Sequence, residues 1–305
     1  MLLRKWFGRV AAGFAAIGLM GAAAAREAPR THVAAKSVAG PGLWKLQDRD
    51  TTIYLFGTIH TLPAGAKWRT KAFDAAFGSA KELMIEVGNI DDEQAVAGEL
   101  GKAGLAEGLP PLLERVPAAK RPAIKAAIAK SGFPPAAFDR MKSWMAALVL
   151  LNVTLKDIGL DPERGVERAL ITEWKAKGGK VEGFETAADQ FGFLNSVSQE
   201  AQNKFLEAAA DSPEAAKKQF AAMLKAWKAG DVAGIARTFD DETQMSAELR
   251  DVLMKKRNAR WAAWLAERMK KPGTVFVAVG AGHLAGADSV QRMLAARGLK
   301  AVRVQ

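Results

Sequence analysis

One pattern occurs twice in the chain, in Ile53-Tyr54-Leu55-Phe56-Gly57-Thr58-Ile59-His60 and again in Val275-Phe276-Val277-Ala278-Val279-Gly280-Ala281-Gly282-His283. In each copy an apolar run of strand length stops at a glycine, and a histidine stands three residues after it. Apolar runs bounded by glycine are typical of buried strands, and residues just past the carboxyl end of such strands form the rim of sites in α/β folds. The two Gly-x-x-His units therefore predict two halves of one site.

The rest of the chain predicts strands at both ends and in the middle, separated by long helical stretches. We therefore expect an α/β fold of mixed, partly α+β character, in which a central mixed sheet is wrapped by many helices, with helical insertions at about 91–160 and 187–270. The remaining predicted elements are a hairpin over 44–56, a helix at about 71–80, a strand at 82–87, a helix at 165–177, a strand at 180–185, a strand at 275–279, a helix at about 288–296 and a strand at 301–304.

The first 25 residues are typical of a secretory signal. A basic n-region, an apolar h-region and a small-residue cleavage site follow one another, at Arg4 to Arg9, Val10 to Met20 and Ala23 to Ala25. The apolar stretch is shorter than the ~20 residues that a membrane span needs, although a retained N-terminal anchor is the alternative. We predict an exported protein, periplasmic or secreted, with a linker at 26–40 and a single domain at 41–305.

The composition excludes some kinds of site and leaves others open. The chain has no cysteine, so cysteine nucleophiles and thiolate metal sites are excluded. Its formal net charge of +11 suits an anionic partner, but basic residues are interspersed with acids along helical segments, and the densest run is Lys255 to Arg260. We therefore predict solvated helix faces, no nucleic-acid partner and, after signal removal, no stable membrane span.

Glu86 completes the candidate site. It lies near the end of the predicted apolar strand at 82–87, where a carboxylate is costly to bury unless it is paired or bound to a cation. Alternatively, it is simply the first exposed residue after the apolar run. Two histidines, His60 and His283, and one carboxylate form a familiar ligand set for a divalent metal ion such as zinc, manganese or cobalt, with positions left for water and substrate. The third histidine, His32, lies in the leading tail and is expected to be exposed.

Three other kinds of site are not predicted. The zincin motif H-E-x-x-H and the nucleophile-elbow motif G-x-S-x-G are both absent. The segment Gly280 to Ala285 formally fits the dinucleotide pattern G-x-G-x-x-[GA]. However, only 20 residues follow Ala285, none of them an acid at the spacing that holds a ribose, and bulky His283 stands where the backbone has to approach a pyrophosphate.

The chain resembles the TraB/GumN family over roughly residues 41 to 305. This family includes the pheromone-shutdown protein of plasmid biology and is similar to the animal Tiki metalloproteases. The motifs that carry the resemblance occur in order: Leu43-Trp44-Lys45-Leu46, the segment Leu55 to Pro63 with its Gly57 and His60, the strand ending in Glu86, the segment Lys180 to Thr186 with Glu185, Lys256-Arg257-Asn258, and the segment Val279 to Gly286 with His283.

The resemblance implies metal-dependent peptide cleavage. Carried over to this chain, it indicates His60, Glu86 and His283 as metal ligands and catalytic residues. It also implies roles for Glu185 and Arg257, either in supporting these ligands or in binding substrate. From the sequence alone Arg257 has two interpretations, because in a helix it shares a face with two tryptophans and can pack on them, while its guanidinium can equally clamp a substrate carboxylate or stabilise an oxyanion.

Two functions follow as hypotheses. The first is a secreted metal-dependent hydrolase, a peptidase acting on a peptide or protein substrate through a metal-activated water. The second is a non-enzymatic periplasmic protein that binds a metal or a haem-like ligand in the same pocket. Loss of activity on chelation, with recovery when metal is added back, separates them.

Overall fold

A computed structural model of the chain describes residues 40–161, 164–210, 212–239 and 245–305. The predicted signal at 1–25, nearly all of the predicted linker at 26–40, and His32 lie outside these ranges. Within the described residues, no helix is both long enough and apolar enough to cross a membrane.

The strands form one mixed sheet, as the sequence predicts. The strands are β1 Leu43–Gln47, β2 Thr51–Thr58, β3 Glu82–Val87, β4 Val181–Glu185, β5 Gly273–Gly280 and β6 Val302–Arg303. Their order in the sheet is β4-β3-β5-β2-β1-β6. Strands β4, β3, β5 and β2 run parallel, whereas β1 pairs antiparallel with β2 in the expected hairpin and β6 pairs antiparallel with β1.

The two apolar runs of the repeated pattern form the centre of this sheet. Along β5, Phe276 and Ala278 belong to the larger hydrophobic cluster, while Val275 and Val277 belong to the smaller one. Successive side chains of a strand point to opposite faces, so β5 contributes to a core on each side of the sheet. Helices therefore cover both faces, which explains why the two central parallel strands, β2 and β5, contain continuous apolar runs.

Helices occupy most of both predicted insertions. The helices are α1 Lys71–Ser79, α2 Glu93–Gly104, α3 Arg121–Ser131, α4 Pro135–Asp139, α5 Ser143–Asp157, α6 Val166–Ala176, α7 Ala187–Ser196, α8 Gln199–Ala208, α9 Pro213–Lys228, α10 Val232–Phe239, α11 Ala247–Arg250, α12 Lys256–Arg268 and α13 Val290–Ala295. The most buried of them is α5, in which every residue from Ser143 to Leu155 is buried, because α2, α3, α8 and α9 pack around it.

The sheet register brings the two Gly-x-x-His units together. Strands β2 and β5 are direct neighbours, and Thr58 of one is paired with Gly280 of the other. Strand β3 lies on the far side of β5, where Ile85 is paired with Ala278. Because the three strands are parallel, their carboxyl ends meet at one edge of the sheet, and the residues that follow β2 and β5 lie beside the end of β3.

Candidate functional site

Three side chains meet at this edge of the sheet. The Nε2 atom of His60 lies 3.9 Å from Oε1 of Glu86, and the Nε2 atom of His283 lies 3.7 Å from the same oxygen. His283 and Glu86 are largely buried, with side-chain exposures of 7% and 12%, while His60 is 22% exposed and forms the open side of the cluster. The structure thus brings together the two histidines and the glutamate that the sequence singles out.

Glu86 is held at both of its oxygens. Oε1 accepts a hydrogen bond from the backbone N–H of Gly280 at 2.6 Å, and Oε2 accepts one from Nη2 of Arg257 at 2.7 Å. Burial favours the neutral acid, yet the two histidines and the guanidinium hold the pKa of this carboxyl well below its usual value, and the Gly280 amide adds to their effect. Glu86 is therefore an ionised carboxylate of fixed orientation.

His60 is oriented by a second carboxylate. Its Nδ1 lies 2.6 Å from Oε1 of Glu167, which also accepts a hydrogen bond from the hydroxyl of Thr58. Burial of the ring disfavours its charged form, but Glu167 outweighs this effect and the pKa of His60 rises to about 9. With Nδ1 directed at Glu167, the opposite nitrogen of the ring faces Glu86.

His283 is oriented by an amide. Its Nδ1 lies 2.6 Å from Oδ1 of Asn258, an acceptor, so the ring carries its proton on Nδ1 and its lone pair on Nε2. Burial lowers the pKa of His283 to about 3, and the charge of Arg257 lowers it further against the opposing effect of Glu86. The ring is therefore neutral, and burial is the principal cause.

Arg257 links the carboxylates of the site. Its Nε lies 3.0 and 2.9 Å from the two oxygens of Glu185, its Nη1 donates to the carbonyl of Leu253 at 3.0 Å, and its Nη2 reaches Glu86. The guanidinium carbon lies 4.7 Å from the ring centroid of Trp261. Because protein atoms contact the guanidinium at each of its nitrogens, this geometry favours a role in holding Glu86 over the alternative of clamping a substrate.

Glu185 is the anchor for this guanidinium. It ends β4 and is 6% exposed, and Oε1 also accepts a hydrogen bond from Nε1 of Trp261 at 3.0 Å. Gln190 donates to the second oxygen at 3.2 Å. These donors fix the buried carboxylate, so Glu185 supports the site through Arg257 and does not itself reach the two histidines.

The local helix geometry sets the direction of Arg257. A π-helical segment, Asp251–Lys255, immediately precedes α12 and contains Leu253, whose carbonyl binds the guanidinium. Such wider turns shift the helical register and occur often at functional sites. Arg257 and Trp261 then lie one turn apart on the face of α12 that covers the carboxyl edge of the sheet.

Sequence reasoning missed Glu167 and gave Asn258 no role of its own. Glu167 lies in the first turn of α6, where an acid is ordinary because it favours the helix dipole, so no sequence signal distinguishes it. Asn258 follows Arg257 in the motif Lys256-Arg257-Asn258. Its Nδ2 donates to the carbonyl of Asp288 at 2.8 Å, which fixes the amide with its oxygen towards His283.

The side chains of the cluster are of the types that bind a divalent metal ion. Two imidazoles and one carboxylate are suitable ligands, and each ring has its Nδ1 occupied by a side-chain oxygen, which leaves Nε2 on the side of Glu86. In the described conformation, however, no group of three or more His, Asp or Glu side chains within residues 40–161, 164–210, 212–239 and 245–305 is arranged to hold a metal ion. Nη1 of Arg257 lies 3.2 Å from Nε2 of His283, so this contact has to open for His283 to act as a ligand.

The fold and the cluster define a class: a mixed α/β protein that carries two Gly-x-x-His histidines and a glutamate at the carboxyl edge of its sheet. A family model described as the TraB/PrgY/gumN family matches residues 42–303. The chain therefore belongs to the TraB/PrgY/gumN family, which confirms the resemblance seen in its motifs. No curated protein and no solved structure matches the chain.

Proposed function

We propose that the chain is an exported metal-dependent hydrolase that cleaves peptide bonds, with a divalent metal ion held by His60, Glu86 and His283. The observation that carries this proposal is the approach of both Nε2 atoms to one oxygen of Glu86, at 3.9 and 3.7 Å. A bound divalent metal supplies a Lewis acid that polarises a carbonyl and makes water a better nucleophile near neutral pH.

The chain's own residues contribute orientation and charge. Glu167 and Asn258 turn the two rings so that both Nε2 atoms face inwards, and the Gly280 amide fixes the carboxylate between them. Arg257 balances the negative charge of Glu86 within the buried part of the site. The 22% exposure of the His60 side chain gives water and substrate an approach from that side.

The peptide substrate and the export are the finer parts of the proposal. Family membership supports the first, because the family is similar to metalloproteases that cleave peptides. The three-part pattern at Arg4 to Ala25 supports the second.

The test is to purify the mature protein, measure its bound metal by elemental analysis and digest a peptide library with it. Chelation should abolish cleavage and addition of zinc, manganese or cobalt should restore it. His60→Ala and His283→Ala should lose both bound metal and cleavage, whereas His32→Ala, the same substitution in the predicted linker, should retain both. Bound metal without any hydrolysis would favour the second function, a non-enzymatic metal-binding protein.

A further inference from the structure

Glu167 reaches the cluster from a helix that the sequence does not connect with it. Its Oε1 lies 2.6 Å from Nδ1 of His60, and the hydroxyl of Thr58 donates to the same oxygen. Thr58 ends β2 and His60 follows two residues later, so Glu167 binds the Gly-x-x-His unit at two points. The contact joins α6 to the carboxyl edge of the sheet.

The start of α6 is seated directly on the backbone of this unit. The N–H of Val166 donates to the carbonyl of Ile59 at 3.0 Å. Gly165 lies so close to the carbonyl oxygen of His60 that a Cβ atom there would clash with it. Because glycine permits this approach, Glu167, in the first turn of α6, is placed beside the imidazole by backbone contacts and not by a flexible surface loop.

Only one oxygen of the Glu167 carboxylate, the one beside His60, accepts hydrogen bonds from the described residues. Oε1 takes both hydrogen bonds, while Oε2 is buried and has no hydrogen-bond partner among the described residues. Among the residues that the structure describes, Glu167 forms an ion pair with His60 and with no lysine or arginine. A structural carboxylate is usually satisfied at both oxygens when buried, so this one-sided arrangement indicates a role at the ring.

The two histidines of the site differ in the kind of oxygen that contacts Nδ1. Each has its Nδ1 at 2.6 Å from a side-chain oxygen, but the oxygen belongs to a carboxylate for His60 and to a neutral amide, that of Asn258, for His283. A carboxylate that accepts a hydrogen bond from Nδ1 fixes the tautomer of the ring and makes Nε2 a stronger electron-pair donor to a metal ion. His60 is thus built as the stronger ligand of the pair.

We infer that Glu167 is a positioning residue that holds His60 with Nε2 towards Glu86 and strengthens it as the metal ligand. The part of this inference that concerns metal affinity rests on the proposed function, while the part that concerns the orientation of the His60 ring does not. The competing explanation is that Glu167 is an ordinary first-turn acid that stabilises α6.

The first experiment measures Zn²⁺ affinity by competition with a chromophoric chelator, together with the melting temperature of the metal-free protein. Glu167→Gln should weaken Zn²⁺ binding about 10- to 100-fold with little change in melting temperature, since glutamine keeps a hydrogen-bond acceptor but not the charge. Glu173→Gln is the matched control, because it removes an acid of the same helix that pairs with Arg69 and should leave the affinity unchanged. Wild-type affinity in Glu167→Gln, or a loss of affinity that only accompanies a large fall in melting temperature, would overturn the inference.

The second experiment needs no metal and keeps the two proposals apart. Long-range ¹H–¹⁵N spectra of the metal-free protein in alkaline solution, where the ring is neutral, identify the tautomer of His60. The wild type should carry the proton on Nδ1, and Glu167→Ala should move it largely to Nε2. If the wild type binds no Zn²⁺ but shows this tautomer change, the proposed function fails and the role of Glu167 at the ring stands; an unchanged tautomer would contradict that role.

Discussion

Nη2 of Arg257 donates to Oε2 of Glu86 at 2.7 Å, and the side chains of these residues are only 6% and 12% exposed. This bond fixes Oε2 of the carboxylate, while Oε1 is the oxygen that lies nearest the two histidines. It also means that the site contains a buried positive charge of its own, shared between Glu86 and Glu185.

Removing this charge should destabilise the protein strongly. Arg257→Met leaves Glu86 and Glu185 buried without their shared counter-charge, so we expect the free energy of unfolding to fall by about 3 to 5 kcal/mol. Urea denaturation of the metal-free protein measures the change. Arg260→Met is the control three residues further along α12, because Arg260 is 54% exposed and lies 3.4 Å from Glu185. Equal, small effects of both substitutions would contradict a buried charge network.

The two histidines should carry different charges in the metal-free protein at neutral pH. The pKa of His60 is raised to about 9 and that of His283 is lowered to about 3. ¹⁵N chemical shifts across a pH titration should therefore show a charged ring for His60 and a neutral ring for His283, with assignments from the His→Ala variants. Titration of both rings near their ordinary value would contradict the described environment.

The raised pKa of His60 also predicts how the stability of the metal-free protein depends on pH. Because the pKa of His60 is raised in the folded state, its contribution to stability is complete below the unfolded value of 6.5 and is lost as the pH rises through about 9. His60→Gln lacks this group, so its melting temperature should decline less than that of the wild type over this interval. Parallel melting curves for the two metal-free proteins would rule out the contribution.

Gly280 should tolerate no side chain without disturbing the cluster. A Cβ at this position would lie 3.0 Å from Oε1 of Glu86 and 3.1 Å from Nε2 of His60. Gly280→Ala should therefore displace these two proposed ligand atoms and lower the affinity for metal. Gly192→Ala, on the open surface of α7, is the control and should raise stability by up to about 1 kcal/mol, since no atom lies within 4 Å of the added carbon. Unchanged metal affinity in Gly280→Ala would show that the close approach of Gly280 to Glu86 and His60 does not matter for binding.

Export should be visible as processing after Ala25. The three-part pattern of the first 25 residues is the basis for this prediction. Intact-mass measurement on protein from the envelope or the medium should give a mature chain that begins at Arg26. A cytosolic protein that still begins at Met1 would contradict export.

The sequence predicts the central part of the site because strand order and strand direction follow simple rules. Apolar runs that stop at Gly57 and Gly280 indicate parallel buried strands, and the carboxyl ends of such strands meet at one edge. His60 and His283 could therefore be placed together before their distances were known. The role of Arg257 could not be decided, because it depends on which donors its guanidinium finds after α12 packs on the sheet.

The contact of Glu167 could not be predicted either. It depends on the seating of α6 against the carbonyls of Ile59 and His60, a tertiary contact that leaves no periodic pattern in the sequence. The same holds for the amide of Asn258, whose orientation is fixed by a carbonyl thirty residues away. Local patterns thus identify the candidate ligands, while the residues that orient them emerge only from packing.

The most direct measurement is a crystal structure of the mature protein prepared with Co²⁺, with anomalous data collected at the cobalt absorption edge. The proposed site predicts one strong anomalous peak about 2.0 to 2.2 Å from Nε2 of His60, Nε2 of His283 and a carboxylate oxygen of Glu86. It also predicts that Arg257 has withdrawn from His283. A peak at another group of residues, or no peak while the contact between Arg257 and His283 persists, would contradict the proposed metal centre.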